Sequence, residues 1–519
     1  MHQQEEQAKS YTGIFGMHKY WSKKPYNLMG SLILKNTRPN DIVLDPFCGS
    51  GISIIEAILN DRKGIGIDLN PIAIFITKQT LAKIAPEYIL SEFKKIENDV
   101  KNEINNLYRV KRNNHTYTGT HFVWKDEKLI EIWYKNEFNK KVISESTKKD
   151  IKFSKSFTYS KIPYFYPKEK LIPNSRINAK ESMYVYDLFT PRNLLGLSLL
   201  LDRINKIENK KIREIFQFCF TACLGQASKM VFVIEKRVKS VKTAIPKKEI
   251  GSWVIGYWVP NQNFEVNIWN CFGNRYNRIV KAKKEQYNLD YKLKYAKNII
   301  DLKENNVLLS NSSALDYLKK LREESIDYII TDPPHSDRQP YLELSMMWNS
   351  WLRFESDFKK ELIVSNAKSR DKTVSNYNKL FKSILLQISR VLRTNKKFTL
   401  IFNSLDDESW KAILEIINQS DLELSSIETM SYSANSVVQD NRKLGLETDF
   451  VLNFIKTSKK LTRLHTLSEE EETQEILSLI NQFKKQNDTP RAFEIINHVI
   501  ISLIKKGILF NLSTILKHL

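Results

Sequence analysis

The sequence predicts an α/β fold: a doubly wound, mainly parallel sheet with a large basic α+β insertion and a helical C-terminal tail. Short apolar runs of strand length alternate with helical patterns in two parts of the chain, residues 41–81 and 306–455. More than 200 residues separate these two parts, too many for a loop, so an inserted module is expected between them.

The net charge is concentrated in that insertion. The 519-residue chain carries a formal net charge of +22, and residues 101–300 alone hold 39 basic and 18 acidic residues. Residues 1–100 hold 12 and 11, and residues 301–519 hold 30 and 30, so both flanks are nearly neutral. This distribution predicts a polyanion-binding module between two parts of different chemistry.

Cysteine content and hydropathy indicate a cytoplasmic protein. Four cysteines make no disulfide framework in a chain of this length, and Cys219 and Cys223 fall one helical turn apart in an apolar run, as core residues do. No metal site is predicted. The N-terminus lacks the apolar core of a signal peptide and no uncharged apolar stretch reaches 18 residues, so neither secretion nor a membrane span is expected.

The first candidate site lies where the first strand, residues 41–45, turns into a helix. The turn reads Asp-Pro-Phe-Cys-Gly-Ser-Gly over residues 45–51, and the next strand ends in Asp68. Glycines at such a turn let the backbone approach a ligand closely, and an acid ending the next strand can accept both hydroxyls of a ribose. The glycine-containing turn and Asp68 together predict binding of a nucleoside-containing cofactor, whereas the glycines alone are also consistent with an ordinary tight turn.

These residues resemble a known family. Asp-Pro-Phe-x-Gly-Ser-Gly is similar to the motif of S-adenosylmethionine-dependent amino-methyltransferases that act on DNA, and residues 18–25 (HKYWSKKP) resemble the segment preceding that motif. The resemblance implies S-adenosylmethionine as the cofactor, and Lys23 and Lys24 either serve its carboxylate or are solvated surface lysines. Where many members carry an Asp near the cofactor's adenine, this chain offers Ser313 or Asp316. The cofactor-binding residues that follow are Lys23, Pro25, Asp45, Pro46, Phe47, Gly49, Gly51, Asp68 and Ser313.

A second motif follows the strand at residues 325–331. It reads Asp332-Pro333-Pro334-His335, and its consecutive prolines stiffen the loop and keep it out of the sheet ladder. A carboxylate and a carbonyl held there can each accept a hydrogen bond from one exocyclic amino group, so that positioning and electrostatics promote its attack on a methyl donor. These four residues are the predicted catalytic residues.

His335 is the main departure from the family. There, Asp/Asn/Ser-Pro-Pro precedes Tyr, Phe or Trp, whose ring stacks on a base flipped out of the helix. Imidazole is a smaller stacking platform that can add a hydrogen bond or a charge; the alternative interpretation is a degraded, noncatalytic site. Asp332, where other members carry Ser, favours adenine N6 over cytosine N4.

The remaining patterns complete the core. Further strands are expected at residues 306–310, 396–403, 421–427 and 449–455, with helices near residues 341–351, 377–393 and 407–419. The resemblance implies that the seven strands form a Rossmann-like methyltransferase sheet with one antiparallel edge strand. It covers residues 1–85, the cofactor-binding half of the core, and residues 305–457, the catalytic half.

The insertion, residues 86–304, interleaves basic residues with aromatics. By position it resembles the target-recognition domain with which these enzymes read DNA, although here it precedes the third strand. Its Lys and Arg residues are expected to contact phosphates. The candidates are Lys152, Lys155, Lys161, Arg192, Lys229, Lys236 and Arg237. The helical accessory region, residues 458–519, is expected to contact a partner protein or a second copy.

The sequence therefore predicts a DNA amino-methyltransferase that flips its target base out of double-stranded DNA, in a setting such as restriction-modification. An RNA methyltransferase on the same fold is the alternative among enzymes. A DNA-binding subunit that has lost turnover is the alternative from another class.

Overall fold

A computed structural model describes residues 7–236, 247–335, 339–403, 407–430, 449–458, 464–487, 490 and 492–519. The strands are β1 (Ile42–Asp45), β2 (Lys63–Asp68), β3 (Arg109–Arg112), β4 (His115–Lys125), β5 (Lys128–Lys135), β6 (Lys141–Glu145), β7 (Val233–Lys236), β8 (Lys247–Ile250), β9 (Gln262–Val266), β10 (Val307–Asn311), β11 (Ile326–Thr331), β12 (Leu392–Phe402), β13 (Leu422–Met430), β14 (Asp449–Lys456), β15 (His465–Thr466) and β16 (Ile508–Leu509).

The helices in the described ranges are α1 (Tyr26–Asn36), α2 (Ile52–Leu59), α3 (Pro71–Leu81), α4 (Pro86–Asn106), α5 (Lys148–Lys155), α6 (Pro191–Asn205), α7 (Lys210–Ala227), α8 (Ile268–Tyr287), α9 (Ala314–Leu318), α10 (Tyr341–Leu352), α11 (Val374–Val391), α12 (Asp407–Gln419), α13 (Glu469–Gln486), α14 (Ala492–Lys505) and α15 (Leu512–Lys517). None of them combines the length and the apolar character that a membrane span requires.

The central sheet has seven strands in the order β10-β2-β1-β11-β12-β14-β13. Its first five strands are parallel, and β11, which is buried along its whole length, lies beside β1 near the middle of the sheet. The predicted α/β class with a mostly parallel sheet is confirmed. The chain runs outward from β1 to β2 and β10 and then returns to the other side of β1 at β11. Ligands of open α/β sheets bind at such a reversal of strand order, beyond the carboxyl ends of the strands.

The antiparallel strand was expected at an edge of the sheet, and this expectation is wrong. Strand β14 is antiparallel to both of its neighbours, and it lies between β12 and β13, so β13 forms the edge. Phe450 pairs with Phe402, the last residue of β12. Because β14 runs in the opposite direction, its first residue, Asp449, lies beside the carboxyl ends of the parallel strands.

Residues 86–304 pack against helices of the core. Strands β3, β4, β5 and β6 form an antiparallel sheet that β9 joins by pairing with β4, and α7 packs against α3 and α10 of the core. One continuous hydrophobic core includes Ile76 of α3, Phe218 of α7 and Trp348 of α10. Cys219 and Cys223 are buried in it as free thiols, as predicted from their spacing.

The C-terminal helices pack against the core on the other face of the sheet, where α14 contacts β13 and α15 contacts α12. Their apolar residues share a second hydrophobic core with α11, α12 and the strands, and Phe510 packs against Trp410 of α12. The acidic start of α13 is capped by Ser468, whose side chain and that of Glu471 satisfy each other's backbone amides in a capping box.

Candidate active site

A cleft opens at the carboxyl ends of β1, β2 and β11. Its empty volume is about 950 Å3, including space open to solvent. The lining residues come from the segment before α1, the glycine loop, the end of β2, the start of α9, the second motif and α10. Most of the predicted cofactor residues and Asp332 therefore face one cavity.

The glycine loop adopts a backbone that side chains disfavour. Gly49 and Gly51 have φ angles of +50° and +78°, and Gly51 directly precedes α2. A Cβ at Gly51 would lie 2.3 Å from Cγ2 of Thr77, which is too close for any residue other than glycine. The loop is thus fixed against α3 while Pro46, Phe47 and Gly49 line the cleft.

Two carboxylates, buried Asp45 and half-buried Asp68, hold this loop. The Oδ2 and Oδ1 atoms of Asp68 accept the backbone N–H groups of Gly49 and Asn70, both at 2.8 Å, and burial raises the pKa of Asp68 to about 7. Asp45 accepts the hydroxyl of Thr331 at 2.8 Å, which connects β1 to β11, and burial raises its pKa to about 6. Both carboxylates line the cleft as well.

The other predicted cofactor residues occupy different environments. Lys23 lines the cleft, but its Nζ atom donates to the carbonyls of Phe15 at 3.0 Å and His18 at 2.8 Å, and burial lowers its pKa to about 8. Pro25 is the buried N-cap of α1 and does not line the cleft. Ser313 lines the cleft and caps α9, whereas Asp316 pairs with Lys360, with 2.9 Å between the charged atoms.

The catalytic candidate Asp332 is paired with a lysine that the sequence interpretation left undecided. The Nζ atom of Lys24 lies 3.0 Å from Oδ2 of Asp332 and 2.6 Å from Oδ2 of Asp449. Lys24 is buried, so it is no solvated surface lysine. Sequence reasoning missed Asp449, although an acid at the start of an antiparallel strand is the available signal.

Pro334 lines the cleft together with Asp332, whereas Pro333 and His335 do not. Pro333 is buried, and the carbonyl of Pro334 accepts the hydroxyl of Tyr377 at 2.7 Å. His335 Nε2 lies 3.0 Å from Asp332 Oδ1, yet neither ring nitrogen is hydrogen-bonded within the described part of the chain. The ring packs edge-on against Phe402, and it does not line the cleft.

An aromatic ring from α10 faces the cleft instead. Tyr341 lines the cavity together with Asp332, and its ring stacks on Tyr20 with 6.1 Å between the ring centroids and 18° between their planes. Burial raises the pKa of Tyr341, and the nearby carboxylate of Asp332 adds to this effect. Tyr341 is therefore a neutral aromatic group beside the catalytic candidate.

The residues predicted to bind nucleic acid differ in how exposed they are. Lys152, Lys155 and Lys161 are exposed on and after α5, whereas Lys229 is half-buried and burial lowers its pKa. Arg192 is 2 % exposed, and its guanidinium pairs with buried Glu265, so its position does not support a phosphate contact. Lys236 ends β7, with its side chain outside the described structure, and Arg237 lies outside the described residues.

Comparisons with known proteins agree with the resemblance noted from the motifs. Residues 2–79 match a family model described as DNA methylase. Type II methyltransferase M.MjaII of Methanocaldococcus jannaschii is 24% identical over 210 residues, which cover 39% of this chain and 38% of the relative. Type II methyltransferase M2.MboI of Moraxella bovis is 37% identical over 76 residues, 15% of this chain and 28% of the relative. DNA adenine methyltransferase YhdJ of Escherichia coli is 38% identical over 76 residues, 15% of this chain and 26% of the relative. The chain thus spans only about a quarter to two fifths of the length of these curated relatives.

Proposed function

We propose, from the confirmed resemblance of this chain to the N6-adenine/N4-cytosine DNA methyltransferases, that it transfers a methyl group from S-adenosylmethionine to an exocyclic amino group of DNA. One observation carries the proposal. The glycine loop after β1 and Asp332 after β11 end neighbouring parallel strands and line the same cleft. We further assign the seven-stranded sheet to the Rossmann-like methyltransferase type.

The residues of the cleft fit the cofactor. S-adenosylmethionine carries a ribose and a positively charged sulfur, and the cleft is lined by several carboxylates (Asp45, Asp68, Asp332 and Glu361). Asp68, at the end of the strand beside the glycine loop, has the position from which an acid accepts ribose hydroxyls. Ser313 and Phe47 line the cavity as further contacts. When bound, the cofactor would supply a methyl group whose carbon forms a bond to nitrogen while the sulfur keeps the electrons of the old bond, and the nitrogen would release one of its two protons to solvent.

Asp332 has the central role among the chain's own residues. Its carboxylate accepts a hydrogen bond from the amino group of the target base, which orients the nitrogen lone pair toward the methyl carbon. The Pro333 carbonyl serves as the second acceptor in the proposed arrangement. Adenine N6 is favoured over cytosine N4, because the first residue of the motif is Asp where Ser occurs in other members.

The target base leaves the duplex and stacks on an aromatic side chain inside the cleft. His335 was predicted for this role, but its ring packs against Phe402 and outside the cleft lining. Tyr341 faces the cavity next to Asp332. We therefore assign the stacking surface to Tyr341, with His335 supporting the loop that carries Asp332.

The remainder of the chain handles the substrate. Residues 86–304 are proposed as the target-recognition domain between the two halves of the core, residues 1–85 and 305–457, and its exposed lysines hold the phosphates of double-stranded DNA. Residues 458–519 are proposed as an accessory region that contacts a partner protein or a second copy. The reaction is proposed to take place in the cytoplasm.

Tritiated S-adenosylmethionine offered with duplex DNA, with tRNA and without substrate tests this function. We expect label on DNA for the wild type and none for Asp332→Ala, with cofactor binding retained in the variant. Label on tRNA alone would favour the RNA methyltransferase alternative. Tight DNA binding without label on any substrate would favour a DNA-binding subunit that has lost turnover.

A further inference from the structure

A chain of buried charges leads away from the catalytic candidate. Lys24 Nζ lies 3.0 Å from Asp332 Oδ2 and 2.6 Å from Asp449 Oδ2, and Asp449 Oδ1 accepts the side-chain amide of Asn403 at 2.6 Å. The side chains of Lys24 and Asp449 are 6 % and 1 % exposed. We call the three ionisable groups, Lys24, Asp332 and Asp449, the Lys24 triad.

The second carboxylate of the triad needs an explanation. Burying a charged group adds a desolvation cost that close pairing must offset. Short contacts to Lys24 and to Asn403 offset part of that cost for Asp449. A buried anion placed this close to a catalytic group points to a role at the site, since a neutral side chain would fill the same space at lower cost.

The sheet explains how Asp449 comes to this position. Strand β12 lies between β11, which leads to Asp332, and β14, which begins with Asp449. Asp332 and Asp449 nevertheless both lie at the carboxyl ends of the parallel strands, because β14 is antiparallel to β12. Lys24, from the segment before α1, bridges the gap that β12 creates between them.

We propose that Asp449 is a positioning residue for methyl transfer, acting through Lys24 on the carboxylate of Asp332. This inference rests on the proposed function. Lys24 holds Oδ2 of Asp332, while Oδ1 is buried 3.0 Å from Nε2 of His335, so the position and plane of the carboxylate are fixed. Asp449 anchors the ammonium group and shares its charge, so that Lys24 orients Asp332 without neutralising it as a hydrogen-bond acceptor.

The matched substitutions separate charge from shape. Asp449→Asn keeps the size of the side chain and an oxygen for one contact but removes the negative charge. Lys24→Gln removes the bridge, and Lys24→Arg keeps its charge. Glu428→Gln is the control, because it breaks an exposed ion pair of 2.9 Å between β13 and Lys35 of α1, near the same elements but at the surface.

Steady-state methylation of duplex DNA and calorimetric binding of S-adenosylmethionine provide the readouts. For Asp449→Asn we expect kcat to fall at least tenfold, while KM for DNA and Kd for the cofactor change less than threefold. Lys24→Gln should lose at least as much kcat, and Lys24→Arg should retain more of it than Lys24→Gln. Glu428→Gln should match the wild type in all three constants.

Several outcomes would overturn the inference. They are a kcat for Asp449→Asn within twofold of the wild type, a loss of rate that follows a loss of cofactor affinity, or a fall in melting temperature that accounts for the lost activity. Failure of the proposed function looks different: the wild type and Glu428→Gln would then both bind cofactor and transfer no methyl group to DNA.

Discussion

The guanidinium of Arg192 lies against the carboxylate of Glu265, with Nε donating to Oε1 at 3.0 Å, and both side chains are buried. This pair joins α6 to β9 inside residues 86–304. Attraction to Arg192 and hydrogen bonds to it hold the pKa of Glu265 below its usual value, although burial alone would raise it. The most buried basic candidate for DNA binding is thus part of the core of the insertion.

Replacing Arg192 by alanine should therefore destabilise the protein. The change leaves Glu265 buried without its cation, which costs about 3–5 kcal/mol of unfolding free energy. Urea denaturation of Arg192→Ala measures it. Lys206→Ala, at the C-terminal end of the same helix, is the control, since its ion pair with Asp202 is exposed and should contribute less than about 1 kcal/mol. Equal effects of the two substitutions would contradict the assignment.

The exposed lysines near α5 should instead control DNA affinity. We expect the triple variant Lys152→Gln, Lys155→Gln, Lys161→Gln to bind duplex DNA more weakly, with a salt dependence reduced by about 2–3 in the slope of log K against log salt. Cofactor affinity should stay unchanged. Fluorescence anisotropy at several salt concentrations measures this, and the double variant Lys484→Gln, Lys485→Gln, at lysines of α13, is the charge control. An unchanged slope in the triple variant would rule these lysines out as phosphate contacts.

Tyr341 should matter more to the reaction than His335. Replacing an aromatic residue that stacks on a base by alanine costs about 1–3 kcal/mol of binding free energy. Tyr341→Ala should therefore lower kcat/KM for DNA roughly five- to a hundredfold. Tyr341→Phe should retain most of the activity, because the ring is kept. His335→Ala should lower kcat/KM less than Tyr341→Ala in the same methylation assay. The opposite order would return the stacking role to the second motif.

Alanine at Gly51 should disable the glycine loop. The new Cβ would meet Thr77 at 2.3 Å in a backbone conformation with φ of +78°, so both the close contact and the strain oppose it. We expect at least tenfold weaker cofactor binding by calorimetry and a lower melting temperature. The control is Gly273→Ala in α8, where no atom outside the helix's own backbone lies within 4 Å of the added carbon and helix propensity should add about 0.5–1 kcal/mol. A Gly51→Ala protein that binds cofactor normally would contradict the prediction.

Glu56 of α2 should make stability depend on pH. It is buried, and burial raises its pKa to about 7. The folded protein therefore holds a proton that the unfolded chain releases above about pH 4.5, so the free energy of unfolding falls as pH rises from about 4.5 to 7. Glu56→Gln removes this effect and should gain about 1–3 kcal/mol at pH 8 and little at pH 5. Thermal melts at both pH values measure it. The control is Glu408→Gln, at an exposed residue, whose effect on stability should be the same at pH 5 and pH 8. An equal gain in stability at both pH values for Glu56→Gln would contradict burial of the carboxyl as the cause.

Local patterns predicted the parts of the site that are set by local structure. Asp45, Asp68 and Asp332 each follow from an apolar run and the turn after it, since parallel strands place their carboxyl ends at one edge of a sheet. Lys24 and Asp449 are 425 residues apart, and no local pattern connects them. The burial of Arg192 likewise depends on Glu265, 73 residues away. Partners chosen by tertiary packing are what the sequence alone could not supply.

The pairing of β1 with β11 has a consequence for the synthesis of the chain. The Asp45–Thr331 hydrogen bond joins residues 286 positions apart. Translation at about 5–20 residues per second therefore separates the two partners by roughly 15–60 s. For most of that interval β1 has no β11 and β2 has no β10 to pair with, while the whole insertion emerges from the ribosome. The nascent N-terminal half of the core must therefore avoid aggregation until the C-terminal half of the core has been synthesised. Contacts between residues so far apart in sequence also make folding of this topology slow.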